Sequence, residues 1–158
     1  MAGTDQRIVK ITLDERSVVR RNADIEHERA VAIFDLLEEN SFILAAVTPG
    51  PFHLNLGIEE NRLVFDIRST ADEPIDRMLL PLTPFRSVVK DYFLVCESYY
   101  NAIRTASPSR IEAIDMGRRA LHNEGSELLR ERLAERVTVD LNTARRLFTL
   151  LCVLHIRA

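Results

Sequence analysis

The chain has 158 residues, of which 46% are hydrophobic and 28% are charged, the balance of a globular protein with a hydrophobic core. Its net charge of −3 argues against a dedicated nucleic-acid-binding protein, which usually carries a basic excess. No apolar run reaches the length of a membrane span, and the N-terminus lacks the apolar segment of a secretory signal. Cys96 and Cys152 lie in apolar stretches and are interpreted as buried thiols in a reducing compartment. The sequence therefore predicts one cytoplasmic domain over residues 1–158.

The first half of the chain predicts strands arranged around one helix. Residues 7–13 alternate apolar and polar side chains, the pattern of a strand with one solvent-exposed face. Residues 24–39 have the three-and-four spacing of a helix. Its predicted core face consists of Ala30, Ile33, Phe34 and Leu37. Four strands are predicted to follow the helix, at residues 42–47, 52–58, 63–68 and 75–82.

Two of these strands form a predicted hairpin around residues 59–62. The register that puts both apolar rows on the inner face sets Asn55 opposite Asp66. The same register sets His53 opposite Arg68, so the outer face of the hairpin is predicted to be polar.

The second half of the chain predicts helices. They span residues 84–106, 108–122, 126–136 and 141–156. Asn123 and Gly125 are predicted to end the second of them, and Gly117 within it predicts close approach by a neighbouring backbone. Leu94 lies opposite the apolar stripe of the long helix at 84–106, so burial on nearly all sides is predicted there. Residues 137–139 fit either a connector or a short strand.

Strands followed by a block of helices are typical of the α+β class. The predicted architecture is an antiparallel sheet of four to five strands, with one helix after the first strand. A C-terminal block of about four helices is predicted to pack on this sheet. Homo-oligomerisation through the apolar final helix or a sheet edge is a further expectation.

The seam between the helices at 84–106 and 108–122 is the main candidate for a polar site. Glu97 would be a partly buried carboxylate that needs a partner, and Arg118 or Arg119 can supply it. Such a pocket would hold a small polar ligand or contact a partner protein. The candidate binding residues are Asp91, Glu97, Tyr99, Arg118, Arg119, His122, Asn123 and Glu124. A purely structural ion pair would explain the same residues.

The leading prediction is a non-enzymatic binding or interaction protein, and two other functions stay open. A small hydrolase or transferase would use His122 as a general base. The carboxylates considered for pairing with it are Glu97, Asp115 and Glu124. A nucleic-acid-associated regulator would need the arginines at 16–21, 130–136 and 145–146 to converge. No metal or cofactor is predicted, because paired histidines at helical spacing, a CxxC motif and a phosphate loop are all missing from the sequence.

Three long segments resemble a known family. They are DIEHERAVAIFDLLEENSF at 24–42, the segment from LTPFRSVVK to GSELL at 82–129, and Asp140 to His155. With these segments the chain resembles uncharacterised protein family 0262, which is found in alphaproteobacteria. The resemblance implies a bacterial, cytoplasmic, single-domain protein. It brings no activity, catalytic residue, cofactor or substrate with it.

Overall fold

The structure is a computed structural model that describes residues 5–14, 23–46 and 48–155. Strands and helices alternate at first, and helices then dominate the C-terminal half. In chain order the elements are β1 (Ile8–Leu13), α1 (Ala23–Glu38), β2 (Phe42–Leu44), β3 (Phe52–Glu59), β4 (Arg62–Arg68), β5 (Pro74–Pro81), a 3-10 turn (Thr83–Phe85), α2 (Arg86–Thr105), α3 (Pro108–Leu133), β6 (Val137–Val139) and α4 (Leu141–His155). The α+β class is confirmed.

The main sheet has four strands in the order β1-β3-β4-β5, and it is mixed. β1 runs parallel to β3, whereas β3, β4 and β5 pair antiparallel. The prediction of a purely antiparallel sheet is therefore wrong at β1. The reason lies in the connection, because α1 carries the chain across between β1 and β3, and such a crossover returns the next strand parallel to the first.

The predicted hairpin register is confirmed in β3 and β4. Asn55 pairs with Asp66, and His53 pairs with Arg68. The loop has two residues, Glu60 and Asn61, with φ of 49° and 64°. Two positive φ values are the signature of a turn whose twist matches that of the flanking strands. The turn thus fixes the register that the alternation predicts.

A second, two-stranded sheet joins β2 to β6. Phe42 pairs with Val139 and Leu44 with Val137, and all four side chains are buried. The strand predicted at 42–47 therefore belongs outside the main sheet and ends at Leu44, with position 47 outside the described residues. Residues 137–139 form a strand because their alternate side chains complete this small apolar layer.

α3 runs without interruption to Leu133, so the predicted break at Asn123 and Gly125 is wrong. The C-terminal block accordingly has three helices among the described residues. A Cβ atom on Gly125 would overlap the ring of Phe148 in α4. Glycine is required there by close packing between α3 and α4 rather than by a helix end.

The buried face of α1 agrees with the predicted one only in part, because Ile33 and Leu37 are partly buried and pack against the core, as predicted, but the other two predicted residues do not. Ala32 and Leu36 are buried, whereas Ala30 is exposed and Phe34 is 65% exposed. Spacing alone fits several neighbouring faces of this helix, and packing against α4 selects the face that carries Ala32 and Leu36. α1 and α4 therefore pack against each other in the core.

One buried cluster takes side chains from every described helix and from both sheets. α4 contributes most to it, with eight buried residues from Ala144 to Leu154. α2 packs on α3, and α4 packs on both α1 and α3. Leu94 of α2 is 54% exposed, so the burial predicted around that part of the helix is wrong. That exposed side of α2 borders the cleft described below.

Candidate functional site

The ion pairs at the predicted seam between α2 and α3 lie within α3. Arg118 donates to the Asp115 carboxylate at 2.6 and 2.9 Å, and Arg119 approaches the same carboxylate at 3.2 Å. The Arg118 guanidinium also lies 4.8 Å from the centre of the Tyr99 ring, an arrangement that favours a cation–π contact. Burial lowers the pKa of Arg118, because it disfavours the charged guanidinium. The hydrogen bond to Asp115 and the nearby Tyr92 have the larger opposite effect, so the pKa of Arg118 is raised overall. The seam is therefore filled by its own side chains.

Glu97, the predicted partner of Arg118 and Arg119, does not lie in the seam. Glu97 is exposed and faces a cleft on the other side of α2, so its predicted burial and its pairing with Arg118 or Arg119 are wrong. The short i, i+3 and i, i+4 spacing within α3 explains the outcome, because Asp115 reaches both arginines without crossing between helices. Asp91, Asn123 and Glu124 are exposed and stay apart from the pairs around Asp115.

The cleft beside Glu97 has a volume of about 580 Å³ and lies between α1 and α2, above α4. Its base is apolar and mostly buried. The base is lined by Ile25 of α1, Val89, Tyr92, Phe93 and Cys96 of α2, and Cys152 and Val153 of α4. Ligand sites in proteins usually combine such an apolar base with a few polar groups at fixed positions.

Among the described residues, a hydrogen bond between Tyr100 and Glu28 joins the two walls of this cleft. The Tyr100 hydroxyl of α2 donates to Oε2 of Glu28 in α1 at 2.8 Å. Because both side chains are partly buried, this bond fixes a carboxylate at the inner edge of the cleft. The sequence reasoning did not identify Glu28, since 72 positions separate the two residues and no local pattern relates them.

The thiols and the inner phenol of the cleft are uncharged near neutral pH. Burial raises the pKa of Cys96 to about 11 and raises the pKa of Cys152 well above its ordinary value. Burial likewise raises the pKa of the Tyr92 hydroxyl. A nucleophilic cysteine needs the opposite setting, with its thiolate stabilised by nearby positive charge. Both free cysteines are buried, as the sequence predicts, and they form part of the apolar base.

The outer edge of the cleft on α2 is mainly basic. Arg86, Lys90 and Arg104 line it together with the single acid Glu97. These side chains are exposed, and Arg86 also donates to Oδ1 of Asn61 at 2.8 Å, which holds its guanidinium on the side of the hairpin turn. An acidic group on a bound molecule would meet these cations while its apolar part entered the cleft.

His122 lacks the carboxylate partner that the enzyme hypothesis requires. Its Nε2 lies 2.8 Å from the hydroxyl of Thr149, which itself donates to the carbonyl of Arg145 at 3.2 Å. Which of the two groups donates in the contact between His122 and Thr149 depends on the tautomer of the imidazole ring. The ring packs between Tyr92 and Phe148, with 5.3 Å between ring centres in each case.

Burial lowers the pKa of His122 to about 4, and the charges of Arg145 and Arg118 lower it further. Nδ1 of the ring is buried and has no hydrogen-bond partner in the described part of the chain. None of Glu97, Asp115 and Glu124 forms a hydrogen bond with the ring. The arrangement gives a neutral, packed imidazole rather than a general base near pH 7.

Several of the arginines considered for a nucleic-acid surface have partners within the fold. Arg136 pairs with Asp76 at 2.7 Å, and Arg130 donates to the Val139 carbonyl at 3.2 Å. Arg146 donates to the carbonyl of Glu39. Arg16, Arg20 and Arg21 lie outside the described residues. The pairs with Asp76 and Val139 give two of these arginines a role within the fold.

Two general features of the described residues bear on the kind of site. They contain no cluster of three or more histidine, cysteine, aspartate and glutamate side chains that could hold a metal ion. None of their helices combines the length and the apolarity that crossing a membrane requires.

Comparison with known proteins identifies the family. The model of the family described as Uncharacterised protein family (UPF0262) matches residues 5–157. A UPF0262 protein of Rhodospirillum rubrum is 60% identical over 150 residues, which cover 95% of this chain and 92% of the relative. A UPF0262 protein of Rhodopseudomonas palustris strain TIE-1 is 59% identical, over 96% of this chain and 93% of the relative. A UPF0262 protein of Bradyrhizobium sp. strain BTAi1 is 61% identical, over 94% of this chain and 89% of the relative. No solved structure matches the chain. The chain belongs to the uncharacterised protein family UPF0262, as the resemblance in its sequence indicates.

Proposed function

We propose that this protein is a non-catalytic binding protein, and that the cleft between α1 and α2 holds a small amphiphilic molecule. The observation that carries the proposal is the cleft itself. Its volume of about 580 Å³ falls within the range of roughly 300–1,000 Å³ that is usual for small-molecule sites. An apolar base beside a basic edge favours a ligand with an apolar body and one acidic group.

The energetics of the cleft support a ligand with this shape. Each methylene that leaves water for the base of the cleft contributes about 0.8 kcal/mol. The cations at the edge add less, because exposed ion pairs are worth roughly 0–1 kcal/mol each. Affinity would therefore come from the apolar part, and Arg86, Lys90 and Arg104 would set its orientation.

A fluorescent probe with the proposed chemistry tests the cleft. Anilinonaphthalene sulfonate has an aromatic body and one sulfonate, and its fluorescence rises in apolar surroundings. We expect saturable binding of one molecule per chain to the native protein. Val153→Phe places a ring in the cleft and should weaken binding about tenfold or more.

Ile43→Phe is the matched control for this test. Ile43 lies on β2, is 42% exposed and does not line the cleft, so the same type of enlargement there should leave probe binding unchanged. Circular dichroism checks that both variants are folded. Equal binding by the Val153→Phe variant and the native protein would place the probe outside the cleft and defeat the proposal.

We further propose that the protein acts in the cytoplasm. Cys96 and Cys152 are free and buried, which suits a compartment that keeps thiols reduced. Association through the final helix receives no support, because the apolar residues of α4 are buried within the chain. The outer strands of the main sheet, β1 and β5, are the edges at which a second copy would pair, and light scattering measures that directly.

A further inference from the structure

We propose that a second cavity, between α1, α3 and the first half of α4, binds a phosphoryl group through Arg145 and Arg146. This cavity has a volume of about 490 Å³ and differs from the cleft in its lining, which is mainly polar. Glu28 and Thr149 form the wall that the two cavities share. The inference does not depend on what the cleft binds.

Arg145 provides the main reason for the assignment. It is half-buried and lines the cavity, yet its guanidinium has no hydrogen bond or ion pair with any side chain or carbonyl that the structure describes. A partly buried charge without a partner is costly, and a bound anion would remove that cost. A guanidinium offers paired N–H donors that match two oxygens of a phosphoryl group.

Arg146 adds a second set of donors to the same wall. One of its nitrogens, Nη1, donates to the Glu39 carbonyl at 3.2 Å, which ties the side chain to the end of α1. Its other N–H groups have no partner within the described ranges and remain available to a ligand. Both arginines lie in the first half of α4, whose N-terminal end carries a partial positive charge.

Acidic residues on the opposite wall make the site selective. Asp35 of α1 lines the cavity, and its carboxylate has no hydrogen-bond partner among the residues that the structure describes. A carboxylate repels a fully deprotonated anion but accepts a hydrogen bond from an anion that still carries a hydroxyl. Near neutral pH phosphate has such a hydroxyl and sulfate does not, so Asp35 should favour phosphate over sulfate.

His122 supplies an internal reporter for this cavity. The ring lines the cavity, and it is surrounded by Thr149 and Arg145 of α4, Arg118 of α3 and Tyr92 of α2. Its depressed pKa owes part of its shift to the charge of Arg145. An anion beside Arg145 offsets that charge and should therefore raise the pKa of His122.

Isothermal titration with inorganic phosphate, at constant ionic strength set with chloride, tests the assignment on the full chain. We expect saturable binding that Arg145→Gln weakens about tenfold or more. Arg132→Gln is the matched control, because Arg132 is exposed in the last turn of α3 and does not line the cavity. NMR titration of the histidine ring protons, assigned with His122→Gln, should show that phosphate raises the pKa of His122 in the native protein but not in the Arg145→Gln variant.

Two further titrations sharpen the ligand class. Sulfate should bind at least several-fold more weakly than phosphate, and Asp35→Asn should reduce that difference. Glycerol phosphate separates an esterified phosphoryl group from free phosphate. Its phosphoryl group is mostly deprotonated near neutral pH, so Asp35 should make it bind more weakly than inorganic phosphate, and tighter binding of the ester would contradict the role of Asp35. The absence of saturable phosphate binding, or equal binding by a folded Arg145→Gln variant, would overturn the assignment. Equal affinity of the native protein for sulfate and phosphate would overturn the role of Asp35.

Discussion

At the scale of single residues, the contact between Tyr100 and Glu28 has the clearest consequence. It is a hydrogen bond of 2.8 Å to a partly buried carboxylate, and it links α2 to α1 across the cleft. Hydrogen bonds to charged groups contribute more than neutral ones when water is partly excluded. The bond therefore stabilises the fold and keeps the inner edge of the cleft in place.

Tyr100→Phe should lower the free energy of unfolding by about 1 kcal/mol, because Glu28 loses its donor while the ring is kept. Urea denaturation at pH 7 measures the change. Tyr99→Phe is the matched control, since the neighbouring tyrosine contacts Arg118 through its ring, which phenylalanine preserves. Equal losses in the two variants would show that the link between Tyr100 and Glu28 adds nothing.

His122 gives the protein a predicted dependence on pH. Its pKa is about 4 in the folded state, against 6.5 when exposed, so the unfolded chain takes up a proton first as the pH falls. Its contribution to stability is complete above about pH 6.5 and declines as the pH falls towards 4. Between pH 7 and pH 5 we expect a loss of about 1–2 kcal/mol that the His122→Gln variant does not show. The same loss in native protein and variant, measured by urea denaturation, would assign the dependence to other groups.

At the scale of elements, the two glycines of α3 have different roles. Gly125 faces the Phe148 ring so closely that a Cβ atom has no room. A Cβ atom on Gly117 would meet a methyl group of Val95 at 3.9 Å, an ordinary contact. The close approach of a backbone predicted at Gly117 is therefore wrong, and the tight contact of α3 lies at Gly125, where it is made by the side-chain ring of Phe148.

These two glycines form a matched pair for alanine substitution. Gly125→Ala should destabilise the protein by about 1–3 kcal/mol, because Phe148 must move within a packed core. Gly117→Ala should stabilise it by up to about 1 kcal/mol through helix propensity alone. Thermal unfolding of both variants tests the packing of α3 on α4, and a stabilising effect of Gly125→Ala would contradict it.

At the scale of the whole molecule, the parts that depend on neighbouring residues could be predicted from the sequence. Alternation and a two-residue turn determine the hairpin register, so the pairing of Asn55 with Asp66 follows from local pattern. The same holds for the start of α3, where Ser107 caps the Arg110 amide at 3.3 Å. The existence and order of α1, α2 and α4 could be predicted for the same reason, whereas the sequence predicts two helices in place of the continuous α3.

The parts that depend on distant partners could not be predicted. The residues of β1 alone do not determine that it pairs parallel to β3. Likewise, the helical period of α1 does not distinguish the face with Leu36 from the face with Phe34. The candidate site differs from the predicted one for the same reason. Asp115 forms an ion pair with Arg118 within the same helix. The cleft is formed by residues such as Glu28, Tyr100 and Val153, which lie on three helices far apart in the chain.

NMR chemical-shift mapping with octanoate tests whether the cleft between α1 and α2 binds a small amphiphile. Octanoate has an apolar chain and one carboxylate, the two features that the base and the edge of the cleft should recognise. We predict saturable shifts concentrated on the cleft residues Ile25, Cys96, Tyr100 and Val153, with little change on β4 and β5. Shifts spread evenly over the surface, or centred on the sheet with the cleft residues unchanged, would contradict the proposed function.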